Sequence, residues 1–437
     1  MKKLEAKKGT ALLFVMALLF IGSILYLHSR NQDVLRVGIF YGSNWEVPGT
    51  VHYDLLDEAI KKLKEKYPNV KVEYEKGILS DNYSEWLSEQ ILKGTEPDVY
   101  FVLDKDFNTF VSMEALENLD SLANGDAKFD SSVFYSSVYK AGQYGNSQYA
   151  LPIECNPTLM FVNKTLLKKE GIAVPDNDWT WDDFYEICRK VVKDSDGDGQ
   201  IDQFGCYDYT WLQAVYSNGL TPFNKEGTES NFLDERFYES LEFVKRIEAT
   251  NKNYQVTSND FDLGKVAFRP FTFTDYRTYM PYPWRIKKYS GFEWTCIRMP
   301  SGPSGNHRSE MSVLMTAMSS RSSKKTLAWD FMKILTTDEE IQSLLYTDTS
   351  AASVLPSVNT STKVMNLLNK DAPGDSIMDM SLLDTVIDAG VVTSRFEGDE
   401  EVYEKTDTLI KSYVEQEDDS STFLFQMKNQ IDAILKK

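Results

Sequence analysis

Apolar and polar positions along residues 34–103 follow the periods of strands and amphipathic helices. Mostly apolar runs of strand length occupy residues 34–40 and 99–103, and apolar side chains alternate at Val70, Val72 and Tyr74. Two sets of apolar residues at helical spacing lie between these runs: Leu56, Ile60, Leu63 and Tyr67, then Trp86, Leu87 and Ile91. This strand–helix–strand–helix–strand order predicts a parallel α/β domain.

Further along the chain, the pattern predicts more elements of both kinds. Thr180 and Asp183 stand three residues apart, as in a capping box, before a predicted helix. Residues 264–268 have the pattern of a strand. Two later helices are predicted from apolar spacing, one at Leu327, Phe331 and Ile334 and one at Leu424, Met427, Ile431 and Ile434.

The first residues have the pattern of a membrane-inserted segment. Lysines between Lys2 and Lys8 precede an uncharged run at residues 10–27, and a helix of that length spans about 27 Å, close to a bilayer core. The lysines should stay in the cytoplasm, so the rest of the chain should lie outside. We therefore predict an uncleaved, single-pass signal-anchor helix. A cleavable signal peptide is the alternative, although residues 28–30 lack a small-residue cleavage pattern.

Length and charge limit the classes of function. A chain of 437 residues exceeds what one hydrophobic core usually supports, which predicts two domains or lobes. The formal net charge of −19 is opposite in sign to that of proteins that bind nucleic acids. The same charge repels anionic polymers and weakly favours neutral or cationic ligands.

The four cysteines leave two interpretations open. An extracellular location permits disulfides, and four cysteines allow three complete pairings. Cys188 and Cys206 flank an aspartate-rich loop, so a disulfide between them is one alternative, and buried free thiols are the other. No CxxC pair occurs in the sequence, so a zinc or redox site is not expected.

The aspartate-rich loop, DSDGDGQIDQFG, has the residue types of a calcium site. Its aspartates alternate, and Gly199 permits the sharp turn that follows. Calcium takes about six to eight oxygen ligands, which alternate carboxylates on a tight loop supply. Gly205 stands where an EF-hand has its bidentate glutamate. We therefore predict a structural Ca²⁺ site with these ligands: Asp194, Asp196, Asp198, Gln200 through its carbonyl, Asp202 and Gln203.

Several segments of the chain identify a protein family when their order and spacing are taken together. They include EPDVYFV at residues 96–102, YALPIECNPTLMFVNKTLLKKEGI at 149–172, the aspartate loop, LGKVAF at 263–268 and KKTLAWDFMKILTTDEE at 324–340. In order and spacing they resemble the extracellular solute-binding proteins of carbohydrate ABC transporters, which are related in fold to maltose-binding protein. The resemblance covers nearly everything after residue 34.

The resemblance implies a two-lobed α/β fold of the periplasmic-binding-protein type (type II), with the ligand in a cleft between the lobes. The predicted limits are residues 1–33 for a cytoplasmic stub and signal anchor, 34–152 with 308–352 for the N-terminal lobe, and 153–307 with 353–437 for the C-terminal lobe. Ligand binding would close the lobes by hinge bending. The implied protein is a monomer on the outer side of the cell membrane, which captures a sugar or oligosaccharide and delivers it to ABC permease subunits.

The sugar site that the resemblance implies needs aromatic faces for C–H groups and fixed polar groups for hydroxyls. In parallel α/β folds such groups gather at the carboxyl ends of strands. The candidates that follow predicted strands or crossovers are Tyr41, Trp45, Asp104, Glu154, Trp211 and Tyr276. Core packing is the alternative role for each aromatic residue in this set.

Two other classes of function are alternatives. A tethered binding protein could report sugar to a membrane kinase as a sensory co-receptor instead of feeding a permease. A secreted carbohydrate-active enzyme would require paired carboxylates, for which Asp104 and Glu154 could be drawn together. The sequence contains no GxSxG or HExxH motif and no phosphate-binding glycine loop. We therefore expect a protein without catalytic activity.

Overall fold

The structure, a computed structural model, describes residues 33–44, 54–74, 78–252, 254–279, 292–371, 378–396, 398–415 and 420–436. The predicted signal-anchor helix at residues 10–27 and the candidate ligand residue Trp45 lie outside these ranges. Among the described residues, no helix combines the length and the apolar character needed to cross a membrane.

A mixed sheet of ten described strands runs through the molecule, in the order β2-β1-β3-β10-β6-β8-β7 with three short strands beside this path. The strands are β1 Val34–Gly38, β2 Lys71–Tyr74, β3 Val99–Val102, β6 Ala150–Asn163, β7 Phe204–Cys206, β8 Val266–Thr272, β9 Trp294–Ile297, β10 Glu310–Met318, β11 Ala352–Ser353 and β12 Val391–Val392. A separate pair comprises β4 Gln143–Tyr144 and β5 Ser147–Gln148.

Helices cover the sheet on both sides. In the first half of the chain they are α1 Asp54–Lys66, α2 Ser80–Lys93, α3 Asp104–Ser112, α4 Asp120–Gly125, α5 Ser136–Tyr139, α6 Lys164–Lys169, α7 Trp181–Val191 and α8 Trp211–Ser217. In the second half they are α9 Glu235–Glu248, α10 Ser258–Asp262, α11 Phe273–Thr278, α12 Lys325–Thr337, α13 Glu339–Asp348, α14 Pro356–Asn359, α15 Thr362–Asp371, α16 Met380–Asp388, α17 Asp399–Glu415 and α18 Ser420–Leu435. Single 3₁₀ turns occupy Ser131–Val133, Lys140–Gly142 and Ala249–Asn251.

The strands and helices predicted from periodicity are confirmed. Strand β1 pairs in parallel with β2 and with β3, and all four residues of β3 are buried. The capping box also forms, because the Thr180 amide donates to Asp183 at 2.9 Å and the Asp183 amide donates to the Thr180 hydroxyl at 3.3 Å. The sequence therefore predicts local structure well wherever one face of an element is buried.

Strand β6 connects the two ends of the sheet. All fourteen of its residues are buried. Its first half pairs antiparallel with β10, from Ala150 to Pro157, and its second half pairs with β8 and β9. A continuous buried strand of this length passes from one hydrophobic core to the next without a loop.

Two clusters of buried apolar side chains lie on the sheet. The first core is built on the early elements, such as Leu35 and Leu87, and continues along β6 to Phe161. The second core is built around α7 and α9, with Phe184 and Phe237 fully buried. The first core also takes in side chains of β7, β8 and β9, so both cores extend into the middle of the chain.

After residue 352 the chain stays in the first core for a further stretch before it enters the second core. Val354 and Ile387 both belong to the first core, and the second core takes up the chain again at Phe396. Hydrogen bonds hold α16 to the first core, since the Tyr135 hydroxyl donates to Asp384 at 2.7 Å. We name residues 388–395 the crossover segment. The predicted limits of the lobes as moving units stay a prediction.

All four cysteines are buried free thiols in the structure. Burial raises the pKa of the Cys188 and Cys206 thiols well above the usual value. The structure therefore agrees with the interpretation as buried free thiols and not with a disulfide between Cys188 and Cys206.

Candidate functional site

A cavity of about 740 Å³ opens between the parts of the chain that carry the two cores. We name it the interlobe cavity. Its walls come from the start of α3, from α5, from the loop after α8, from the loop before β10 and from the crossover segment. The polar and charged residues that line it are Asp104, Asn108, Ser136, Ser137, Lys140, Thr221, Lys225, Asn306, Arg308, Asp388, Thr393, Ser394 and Arg395.

The cavity lies beside β10, at the point where the strand paired with β10 changes. Strand β3 pairs with the far end of β10, from Met315 to Met318, whereas β12 pairs with its beginning, at Glu310 and Met311. Helix α3 starts with Asp104 directly after β3, so the carboxyl end of β3 opens into the cavity. The carboxyl ends of parallel strands are where α/β proteins hold their ligands.

Arg395 is the main charged group on the crossover side. Its Nη1 donates to Asp399 Oδ2 at 3.1 Å, and its guanidinium carbon lies 5.9 Å from the centre of the Tyr403 ring. Its Nε is buried and has no hydrogen-bond partner among the described residues. Although burial lowers the pKa of Arg395, the carboxylates of Asp104 and Asp399 outweigh it and raise that pKa. The guanidinium is therefore charged and keeps one donor unused.

Asp104 and Glu310 are carboxyls held in a poorly solvated position. Burial raises the pKa of Asp104, against the opposing effect of Arg395. Burial likewise raises the pKa of Glu310, against a hydrogen bond from Thr393 and the charge of Arg395. Asp104 lines the cavity, and Glu310 is bonded to the lining residue Thr393.

A chain of side-chain hydrogen bonds runs from Tyr216 through Thr393 to Glu310, next to the cavity. The Tyr216 hydroxyl donates to Thr393 Oγ1 at 3.1 Å, and Thr393 Oγ1 donates to Glu310 Oε1 at 2.6 Å. This chain of hydrogen bonds joins α8 of the second core to β10 through the crossover segment. Buried polar groups that satisfy one another in this way fix a local geometry.

The walls of the cavity are tied together across the cores. The Asn108 side-chain amide donates to the carbonyl of Arg395 and, at 3.4 Å, to the carbonyl of Lys225. The Lys225 ammonium donates to the carbonyl of Gln143. The loop after α8 therefore contacts both α3 and the β4–β5 pair.

Of the predicted ligand residues that the structure describes, only Asp104 lines the interlobe cavity. Glu154 is buried on β6 and accepts a 2.6 Å hydrogen bond from the Thr349 hydroxyl. Trp211 is 6% exposed, packs in the second core, and donates to Asp407 at 2.5 Å. The ligand roles of these residues stay predictions, and the structure gives Trp211 a packing role as well.

The two remaining aromatic candidates lie apart from this cavity. Tyr276 is buried against Trp294, with ring centres 5.1 Å apart, and burial raises its pKa. Tyr41 is half-buried after β1, where it bridges to Leu79. Neither lies among the residues that line the interlobe cavity.

The aspartate loop brings three carboxylates together. Asp194, Asp196 and Asp198 each have an oxygen within 4.8 Å of the others. Gly197 and Gly199 have φ values of 83° and 90°, which residues other than glycine rarely adopt. Both of their amides donate to Asp194, at 2.6 and 2.7 Å, and these bonds hold the pKa of Asp194 below its usual value.

The other predicted calcium ligands have neighbours of their own. Asp202 accepts from the Ser195 amide at 2.8 Å and from the Ser195 hydroxyl at 2.7 Å. Gln203 is buried, donates to the Val191 carbonyl at 2.7 Å and accepts from the Lys169 ammonium at 3.2 Å. The backbone of Gln200 is bonded to Asp198 through its amide. The donor set fits a hard cation best through the three alternating aspartates.

Sequence reasoning missed most of the residues in the interlobe cavity. Asn108, Lys225, Arg308 and Arg395 stand in separate segments without a motif around them. The only available signal was the position of α3 directly after a buried strand, and it pointed to Asp104 and not to Asn108 one turn later.

The model of the family "Bacterial extracellular solute-binding protein" matches residues 49–342. The chain belongs to this family. The match agrees with the family that the ordered segments of the sequence indicated. A curated relative, an uncharacterized ABC transporter extracellular-binding protein of Pyrococcus horikoshii, is 25% identical over 167 residues. That alignment covers 37% of the chain and 36% of the relative, so the chain spans about a third of the relative's length.

Solved structures of solute-binding proteins share the fold over nearly the whole chain. The sugar-binding protein MalE from Xanthomonas citri has a TM-score of 0.74 at 14% identity, covering 92% of this chain and 98% of its own. An ABC substrate-binding protein from Listeria monocytogenes, solved with cycloalternan, has a TM-score of 0.67 at 17% identity, covering 93% and 100%. At these identities the likeness concerns the fold, which is the predicted two-lobed α/β fold.

Proposed function

We propose that this solute-binding protein captures a sugar or oligosaccharide in the interlobe cavity. The observation that carries the proposal is the convergence of polar groups from both cores and the crossover segment on one cavity, whose lining residues Asn108 and Arg395 are hydrogen-bonded to each other. A ligand bound there would contact α3, the loop after α8 and residues 388–395 at once. Such a ligand stabilises the arrangement in which the walls are close together.

The lining suits a saccharide. Phe107 and Phe223 offer apolar surface for C–H faces, and Asn306, Thr221 and Ser136 offer amide and hydroxyl groups for sugar hydroxyls. The unused Nε donor of Arg395 is a further group that a ligand oxygen could satisfy. The solved Listeria structure, in complex with cycloalternan, and the Xanthomonas structure, named as a sugar-binding protein, support this ligand class.

Delivery to a membrane permease is the second part of the proposal. It is supported by the family and by the uncharged run at residues 10–27, which would hold the protein at the outer face of the cell membrane as a single-pass anchor. A deletion strain should lose uptake of the sugar. Normal uptake together with lost induction of sugar-dependent genes would favour the sensory co-receptor instead. Mass spectrometry of the membrane-bound protein should find residue 1 or 2 at its N-terminus, and a start near residue 30 would contradict the anchor.

A structural calcium ion in the aspartate loop is the third part. Asp194, Asp196 and Asp198 would supply carboxylates, with the Gln200 carbonyl and Asp202 completing the shell. Three carboxylates within 4.8 Å repel one another unless a cation lies between them. The ion would hold the connection between α7 and β7 in one conformation.

Thermal unfolding of the full chain in detergent, with a library of neutral mono- and oligosaccharides, tests the binding function. A sugar that binds the native state raises the unfolding midpoint, by mass action. A shift for one family of sugars is the expected result. The same sugar should give no shift with Arg395→Gln, and an unchanged shift in that variant would place the binding site outside the interlobe cavity.

A further inference from the structure

Four cations line the interlobe cavity. Lys140, Lys225 and Arg308 line it from three different segments: a 3₁₀ turn after α5, the loop after α8, and the loop before β10. Within the described part of the chain, none of the three has a carboxylate at ion-pair distance. Arg395 joins them as a fourth cation, paired with Asp399.

Among the described residues, Lys140, Lys225 and Arg308 lack carboxylate partners although the acidic residues of the chain outnumber the basic ones by 66 to 47. Some cations elsewhere contact two carboxylates, as Lys333 does with Asp126 and Asp330. Partial desolvation lowers the pKa of Lys225, and the only carboxylate that opposes this effect is its chain neighbour Glu226. An anion beside the Lys225 ammonium would therefore be favourable.

Three of the carboxylates near the cavity accept hydrogen bonds from partners of their own. Glu310 accepts from Thr393, and Asp399 accepts from Arg395. Asp104 accepts from the Lys105 amide at 2.7 Å. Asp388 is an exposed carboxylate in the lining. Glu310 and Asp399 thus lie beside Thr393 and Arg395, whereas the three cations without ion pairs come from other segments.

We infer that the interlobe cavity takes an anionic saccharide, a sugar that carries a carboxylate or a sulfate group, and that Lys140, Lys225 and Arg308 hold the anionic group. The inference rests on the proposed function, because it names the ligand class of the same cavity. It reverses the expectation from the whole-chain charge, which favours neutral or cationic ligands. The local field at a cleft depends on the charges that line it and not on the net charge of the protein.

Each cation has a distinct use. The planar guanidinium of Arg308 can bind a carboxylate or sulfate with two parallel hydrogen bonds. The ammonium groups of Lys140 and Lys225 act as point charges on flexible stems. The Lys225 ammonium donates to the Gln143 carbonyl and has two further donors for an anion. A charge-assisted hydrogen bond to the anionic group should give a preference of about tenfold or more over a neutral sugar.

The test is calorimetric titration of the full chain in detergent with matched pairs of oligosaccharides. One arm uses uronate oligosaccharides and their carboxyl-reduced, neutral counterparts. The other arm uses sulfated oligosaccharides and their desulfated counterparts. The expected result is that the anionic member of one pair binds at least about tenfold more tightly at low salt, and that the preference shrinks as salt screens the charges. Which arm gives the preference identifies the anionic group.

Two variants connect the preference to the cavity. Arg308→Gln and Lys225→Met should each reduce the preference for the anionic member, whereas Lys128→Met, an exposed lysine outside the lining, should leave it unchanged. Equal or tighter binding of the neutral members overturns the inference but leaves sugar capture standing. A preference that Arg308→Gln and Lys225→Met do not alter also overturns it. Failure of every sugar, neutral or anionic, overturns the proposed function as well.

Discussion

The side-chain amide of Asn108, on the first turns of α3, donates a hydrogen bond to the main-chain carbonyl of Arg395. The two residues belong to segments that pack into different cores. Because the same amide nitrogen also reaches the Lys225 carbonyl at 3.4 Å, one side chain joins three walls of the interlobe cavity. This contact holds the walls in register without a ligand.

Asn108→Ala should weaken both stability and sugar binding. It leaves two carbonyls without their donor, which costs roughly 1–3 kcal/mol when such groups are buried. We expect a lower unfolding midpoint and about a tenfold loss of affinity for the sugar that the library identifies. Asn69→Ala, at an exposed asparagine without a described side-chain hydrogen bond, is the control. Unchanged affinity in Asn108→Ala would mean that the walls are aligned by other contacts.

Trp211→Ala distinguishes a packing role from a ligand role. The indole is buried in the second core and bonded to Asp407, so its removal should cost roughly 3–5 kcal/mol of stability. Phe425→Ala removes an aromatic side chain that is 57% exposed and should change stability little. We expect the folded fraction of Trp211→Ala to bind sugar normally. Lost binding with an unchanged unfolding midpoint would instead support the ligand role that the sequence suggested.

Glu310 should make stability depend on pH. Burial raises its pKa in the folded protein, so the folded state binds more protons than the unfolded state between the usual and the raised value. The contribution of this carboxyl to stability therefore falls as pH rises through that window. Glu310→Gln keeps an oxygen that accepts from Thr393 and removes the titration. We expect its unfolding midpoint to exceed that of the wild type at pH 7, and this difference to shrink at pH 4.

Glu404→Gln, at an exposed carboxyl, is the control for the pH series. Its midpoint should follow that of the wild type at every pH. A difference between Glu310→Gln and the wild type that is the same at pH 4 and pH 7 would show that Glu310 does not titrate in this range.

Calcium should stabilise the folded chain. At a free concentration of about a hundred times its Kd, an ion that binds only the folded state adds about 2.7 kcal/mol. Chelation should therefore lower the unfolding midpoint, and Asp196→Asn should reduce calcium affinity, whereas Asp178→Asn, at an exposed aspartate outside the loop, should not. A midpoint that chelator leaves unchanged would remove the calcium assignment. The ligand role of Gln203, whose side chain is bonded to Val191 and Lys169, is tested separately by Gln203→Ala.

Local structure could be predicted from the sequence because its determinants are local. Periodicity placed β1, α1 and β3, and two residues three apart placed the start of α7. The alternation of Asp194, Asp196 and Asp198 predicted that their carboxylates lie together, and they do. In each case the residues that decide the structure are within one turn or one strand of each other.

The interlobe cavity could not be predicted in the same way, because its walls meet through tertiary packing. Asn108 and Arg395 are separated by 287 positions, and no local pattern marks either of them. Helix α16, before the crossover segment, is likewise bonded to a residue distant in sequence, since the Tyr135 hydroxyl donates to Asp384. Asp104 was accessible to sequence reasoning only because it directly follows a recognisable buried strand.

Binding in the interlobe cavity is tested most directly by blocking it. Ser136 is exposed and lines the cavity, and Ser132, also exposed, lies in the same region but outside the lining. The measurement is calorimetric titration of the wild type, Ser136→Trp and Ser132→Trp with the sugar that shifts the unfolding midpoint. We predict that Ser136→Trp loses at least about tenfold in affinity while Ser132→Trp binds like the wild type. Equal affinity in all three proteins would contradict the assignment of this cavity as the sugar site.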